Sequence, residues 1–133
     1  MKWQHLEQQV RDIASLIWNA TPAAEVVNGV KCDCILKLAP DYWVAIEISK
    51  EISLVKLRTD LAKFASIRPY LTSQGIYAKC LFVTEGEPPP SVVVTGKGAS
   101  VEVLSAKALS ERFFNYSNYT FVRQERAFGS AVD

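Results

Sequence analysis

Apolar positions along this chain first recur with a helical period. Leu6, Val10, Ile13, Leu16 and Ile17, led by Trp3, fall three and four residues apart, which predicts one face of a helix from about residue 3 to 19. Thr21-Pro22 is expected to stop it, because the residue before a proline avoids the helical region. The period then changes. Residues 25–38 carry β-branched residues on both sides of Asn28-Gly29 and read as a strand, or as a short hairpin turning at Asn-Gly. After the turn signal Pro40-Asp41, residues 42–49 alternate. Trp43, Ala45, Glu47 and Ser49 share one face of that strand, and Val44, Ile46 and Ile48 the other.

Helical spacing returns over residues 51–67, with Leu54, Leu57, Leu61, Phe64 and Ala65 as the apolar stripe. Pro69 is expected to interrupt or end this helix. Residues 76–84 read as a buried strand and 85–90 as a loop. Residues 92–94 fit either a strand or a helix, and Gly96 and Gly98 argue for interruption. Residues 101–104 read as a short strand. Residues 106–114 read as a helix anchored by Leu109, Phe113 and Phe114. From residue 115 the chain is expected to form a strand or arm with a frayed end. The element order predicts a single α/β domain over residues 1–114, a short mixed sheet flanked by helices.

Composition narrows the function classes. With 133 residues and 49% apolar content the chain is the size and make-up of one globular domain. Its net charge is only +1, so any contact with phosphates must come from a local patch. An odd set of three cysteines, Cys32, Cys34 and Cys80, points to reduced thiols and a reducing compartment. Cys32 and Cys34, two apart in a strand, are expected on one face as small core residues. A zinc site needs about four ligands, and His5, the only histidine, lies in a different segment, so the cysteines read as structural; no histidine triad can be argued. Thr95-Gly96-Lys97-Gly98 lacks the spacing of a phosphate loop. The polar N-terminus lacks the apolar stretch of a signal peptide, and no apolar run reaches membrane-spanning length. A cytoplasmic location without membrane contact is expected.

Two residues break the apolar pattern in a way that suggests chemistry. Asp33 lies between Cys32 and Cys34, and Glu47 lies between Ile46 and Ile48. An ionised carboxylate buried in a strand is costly unless it is paired or bound to a metal. Neighbouring strands lie about 4.8 Å apart, so two such groups can converge on one ion. Oxygen ligands of this kind suit Mg²⁺. The bland alternatives are a strand-edge carboxylate facing water for Asp33 and an ordinary lysine salt bridge for Glu47.

The arrangement Gly29-x-x-x-Asp33, then Glu47-x-Ser49, then a lysine-bearing helix resembles the PD-(D/E)xK nuclease superfamily. The element order over residues 3–104 is similar to that family's restriction-endonuclease-like core, α-β-β-β-α-β, followed here by C-terminal elements. The resemblance implies a Mg²⁺- or Mn²⁺-dependent nuclease hydrolysing DNA phosphodiester bonds. It implies Asp33 and Glu47 as metal ligands, with Glu7 on the first helix as a possible further acid. The family's lysine is displaced, because Ser49 occupies its position. Lys56 from the following helix is the first candidate to replace it, then Lys50, then Lys63. Ser49 itself could bind a water or a phosphate, or simply sit in the sheet. Lys56, Arg58 and Lys63 are candidates for contacting nucleic acid, or else a solvated helix face. The alternative function is a catalytically inactive nuclease-like fold that binds nucleic acid or protein. The C-terminal aromatic segment, with Tyr116, Tyr119 and Phe121, would then offer a homodimer or partner surface.

Overall fold

The computed structural model describes residues 2–112, with side chains from residue 5 onward. Helix α1 (Lys2–Trp18) is followed by strands β1 (Ala23–Val27), β2 (Val30–Ala39) and β3 (Tyr42–Ser49). Then come helix α2 (Leu54–Ser73), strand β4 (Tyr77–Thr84), helix α3 (Pro90–Gly98) and strand β5 (Val101–Ser105). Residues 106–112 are helical. The anchors Phe113 and Phe114, the arm from residue 115, and the side chain of Trp3 lie outside the described residues.

The five strands form one mixed sheet in the order β1-β2-β3-β4-β5. β1 to β3 pair antiparallel, and β3 to β5 parallel. The hairpin reading of residues 25–38 is the one observed. Asn28 and Gly29 both have positive φ, 51° and 76°, as a two-residue turn of type I′ requires. The parallel crossovers run through α2 and α3, which cover one face of the sheet. Leu57, Phe64, Ile67, Leu71 and Val92 pack there with Ala45, Cys80 and Phe82. α1 covers the other face, where Leu6, Val10 and Ala14 meet Leu36, Val44, Ile46 and Ile48.

Several local expectations are corrected. α1 stops at Trp18, before Pro22, because Asn19 takes a left-handed conformation with φ 50°. Leu16 is 61% exposed and Ala14 fills the core in its place. α2 begins at its Ser53 cap, whose hydroxyl accepts from the Lys56 N–H at 3.1 Å. It runs through Pro69 to Ser73, because buried Ile67 and Leu71 anchor the helix on both sides of the proline. Ala65 lies on its exposed side. Residues 92–94 are helical, and Gly96 does not interrupt α3. It is buried, and a Cβ there would meet Val103 and the Val101 carbonyl, so glycine is what lets α3 lie close on β5. Among the described residues, no helix is long and apolar enough to cross a membrane.

Candidate functional site

The site begins with a fault in β2. Ala23 pairs with Ile35 and Glu25 with Cys32, so β2 carries one residue more than β1 across this stretch. That is a β-bulge at Asp33-Cys34. It overturns the expectation that Cys32 and Cys34 share a face: Cys32 packs in the α2-side core and Cys34 in the α1-side core. All three cysteines are free and buried. Burial pushes the Cys34 thiol up to about 12, with Arg11 pulling the other way, and raises the Cys32 thiol further still.

The bulge frees backbone groups at Asp33, and other elements claim them. Arg11 of α1 donates to the Asp33 carbonyl through Nη2 at 2.8 Å and Nε at 3.3 Å. Glu7, one turn back, forms an ion pair with Arg11. Glu7 thus reaches Asp33 only through Arg11. Beside the bulge the ladder between β2 and β3 ends at Cys34 and Ile46, and side chains take over. The Asp33 N–H donates to Glu47 Oε2, and the Ile48 N–H donates to Asp33 Oδ2, each at 2.9 Å.

Glu47 is fully buried in the middle of β3, on the face that α2 covers. Lys63 reaches over from α2 to place its ammonium 2.7 Å from Glu47 Oε1. This is ion-pair contact, off the line of a hydrogen bond. The same ammonium lies 3.7 Å from Asp60 Oδ1, and that oxygen is 3.3 Å from the Lys56 ammonium. Two carboxylates, on Glu47 and Asp60, therefore face two ammoniums, on Lys56 and Lys63, with the Asp33 charge nearby.

The electrostatics follow from this packing. Burial pushes Glu47 up to about 7, against the pull of Lys63, and the nearby Asp33 charge adds to the rise. Burial likewise raises Asp60 above the ordinary carboxylate range, with Lys56 and then Lys63 opposing it. For Lys63, burial alone would favour the neutral amine. Glu47, then Asp60 and Asp33, outweigh it and hold the ammonium charged.

Of the three lysines considered, the structure brings Lys63 to Glu47. It sets Lys56 on Asp60 and leaves Lys50 exposed. Arg58 is exposed on α2, away from the lysine pair's partners. The Ser49 hydroxyl is spent on its own turn, donating to the Glu51 carbonyl at 2.9 Å and accepting from the Glu51 N–H at 3.1 Å. Two residues were not among the candidates: Arg11, which clamps the bulge, and Asp60. The signal for Asp60 was its position, three residues after Leu57 and four before Phe64, inside the apolar stripe.

No family model, curated protein or solved structure matches this chain.

Among the described residues no group of three or more His, Cys, Asp or Glu side chains could hold a metal ion. Mg²⁺ is commonly held by one or two carboxylates, its other positions going to water and phosphate, so two such groups are not too few in number. Asp33 Oδ1 accepts no hydrogen bond among the described residues. A cleft of about 770 Å³ between Tyr42, Tyr77, Lys79 and Lys97 opens at the other end of the parallel strands and includes none of these groups.

Proposed function

We propose that this chain is a metal-dependent nuclease of the PD-(D/E)xK type, hydrolysing DNA phosphodiester bonds with Asp33 and Glu47 as ligands for Mg²⁺ or Mn²⁺. Lys63 supplies the ammonium that such enzymes place two residues after the glutamate. The observation that carries this reading is the pair of contacts on Glu47: the Asp33 N–H donates to its Oε2 at 2.9 Å, and the Lys63 ammonium lies 2.7 Å from its Oε1. Such chemistry needs the charge at a place, not at a sequence position, and the Lys63 ammonium beside Glu47 supports α2 as its source.

When bound, a divalent cation supplies Lewis acidity toward a phosphate oxygen and toward water. The chain's own residues do the rest. Lys63 is held charged by its carboxylate neighbours, so its work is to stabilise negative charge developing on the phosphate and to orient water, rather than to take a proton. Lys56 lies one turn from Asp60 on the same helix and adds sequence-independent attraction for the strand. Substrate choice would rest on shape or on a partner.

A second reading is a nuclease-like fold that binds without cutting. It is favoured by the backbone N–H groups that donate to Glu47 Oε2 and Asp33 Oδ2 and by the Lys63 ion pair at Glu47 Oε1. A titration of Mg²⁺ and Mn²⁺ with duplex, single-stranded and branched DNA, beside Asp33→Ala, decides between the two. Metal-dependent cleavage lost in Asp33→Ala supports the nuclease. DNA retention without cleavage under every condition supports the binding module.

A further inference from the structure

Asp60 is 1% exposed and sits in the apolar stripe of α2, where an aliphatic side chain would pack without any charge to desolvate. Its Oδ2 is buried with no hydrogen-bond partner among the described residues. Its Oδ1 lies between two ammoniums, Lys56 at 3.3 Å and Lys63 at 3.7 Å. A buried acid that leaves one oxygen unpaired is poorly explained by stability. Its placement is well explained by what it does to the lysines. Both lysine side chains are about a third exposed, 33% and 34%, so water competes for them, and a long unbranched stem has many rotamers to visit. One contact with Glu47 leaves the Lys63 ammonium free to swing. A second anion on the same helix, three residues back and 3.7 Å from the ammonium, restricts that freedom.

We infer that Asp60 is a positioning residue that holds the Lys63 ammonium at Glu47 and keeps Lys56 beside it, without itself touching the substrate. The inference rests on the reading of Asp33, Glu47 and Lys63 as a phosphodiesterase centre. Were Glu47 to hold a divalent cation, Asp60 would remain as an anion beside Lys63. Asp60→Asn keeps the shape and removes the charge, so it separates anchoring from packing.

The test uses the full chain, labelled with ¹⁵N, and reads the ¹H–¹⁵N signal of the Lys63 ammonium. Such a signal survives only where an ammonium is held and shielded from solvent exchange, and its absence in Lys63→Met assigns it. The wild type is expected to show it and Asp60→Asn to lose it. With Mg²⁺ and DNA, Asp60→Asn is expected to lower kcat by about tenfold to a hundredfold with KM little changed, the pattern of a misplaced group. A wild type with no protected Lys63 ammonium, or an Asp60→Asn protein with the signal intact, overturns the inference. So does an Asp60→Asn protein with unchanged kcat. If Asp60→Asn does not fold, Lys56→Met decides. It leaves Asp60 Oδ1 to Lys63 alone, so the Lys63 signal should persist, and its disappearance overturns the inference. A wild type that cleaves no DNA overturns the nuclease reading, while the ammonium signal still reports whether Asp60 anchors Lys63.

Discussion

Asp33 and Glu47 join two strands through side chains where the backbone ladder between them stops. The Asp33 N–H donates to Glu47 Oε2 while Asp33 Oδ2 accepts from the N–H of Ile48, the residue after Glu47, both at 2.9 Å. Asp33 therefore has a structural duty besides any metal. Asp33→Ala strips a part-buried N–H of its acceptor and should cost about 1–3 kcal/mol. Asp33→Asn keeps a carbonyl oxygen for that N–H and should lie closer to wild type in a urea titration. Both variants should lose metal-dependent cleavage. Equal stability of the two would show that the Ile48 bond contributes nothing.

The lysines separate by what they touch. Lys63→Met removes the ammonium from Glu47 and should lower cleavage by about 10²–10³, the size of one electrostatic group at a reacting centre. Lys50 is exposed at the end of β3, and Lys50→Met should change stability by no more than about 0.5 kcal/mol. Single-turnover assays with circular dichroism on both variants check this. Loss of cleavage in Lys50→Met alone would return the role to the residue beside Ser49.

Glu47 gives the fold a pH dependence of definite sign. Its folded pKa is raised by burial from an ordinary 4.5 to about 7. Between those values the folded protein keeps a proton that the unfolded chain has released. Its contribution is full below the lower value and is lost as pH rises through the upper one. Asp60, also raised by burial, acts in the same direction. Glu47→Gln removes only the Glu47 part. Urea midpoints of the variant should therefore fall less between about pH 5 and about pH 8 than those of wild type. Parallel curves for the two proteins would show that Glu47 ionises as it does in water.

Much of the scaffold was legible because it rests on local rules. The alternation from Tyr42 to Ser49 put Glu47 on one face with Trp43, Ala45 and Ser49, the face that α2 is found to cover, and Asn28-Gly29 marked the hairpin. The misread features depend on tertiary contact. Pro69 signals a helix end, yet Ile67 and Leu71 hold the helix through it. The bulge at Asp33-Cys34 has no glycine to announce it and exists because Arg11 and Glu47 take the freed backbone groups. For the candidate site, the two carboxylates stood out as charges among apolar neighbours. The order of the lysines did not, because Lys56, Asp60 and Lys63 share one direction on α2. Only the seating of the helix on the sheet decides which ammonium reaches Glu47.

Gly96 and Gly98 offer opposite outcomes from the same substitution. Both lie in α3, and in a helix alanine is favoured over glycine by about 1 kcal/mol, so the helical term alone predicts stabilisation at each. Their surroundings differ. A Cβ at Gly98 would meet nothing within 4 Å, and the residue is exposed. A Cβ at Gly96 would run into Val103 and crowd the Val101 carbonyl. Neither obstacle moves easily, since Val103 is a stiff β-branched core residue and the carbonyl belongs to β5. Overpacking of this kind costs about 1–3 kcal/mol and should exceed the helical gain. Gly96→Ala is therefore expected to lower the urea midpoint and Gly98→Ala to leave it unchanged or raise it. If both substitutions stabilised the protein, α3 would have to stand further from β5 than the packing of Gly96 requires.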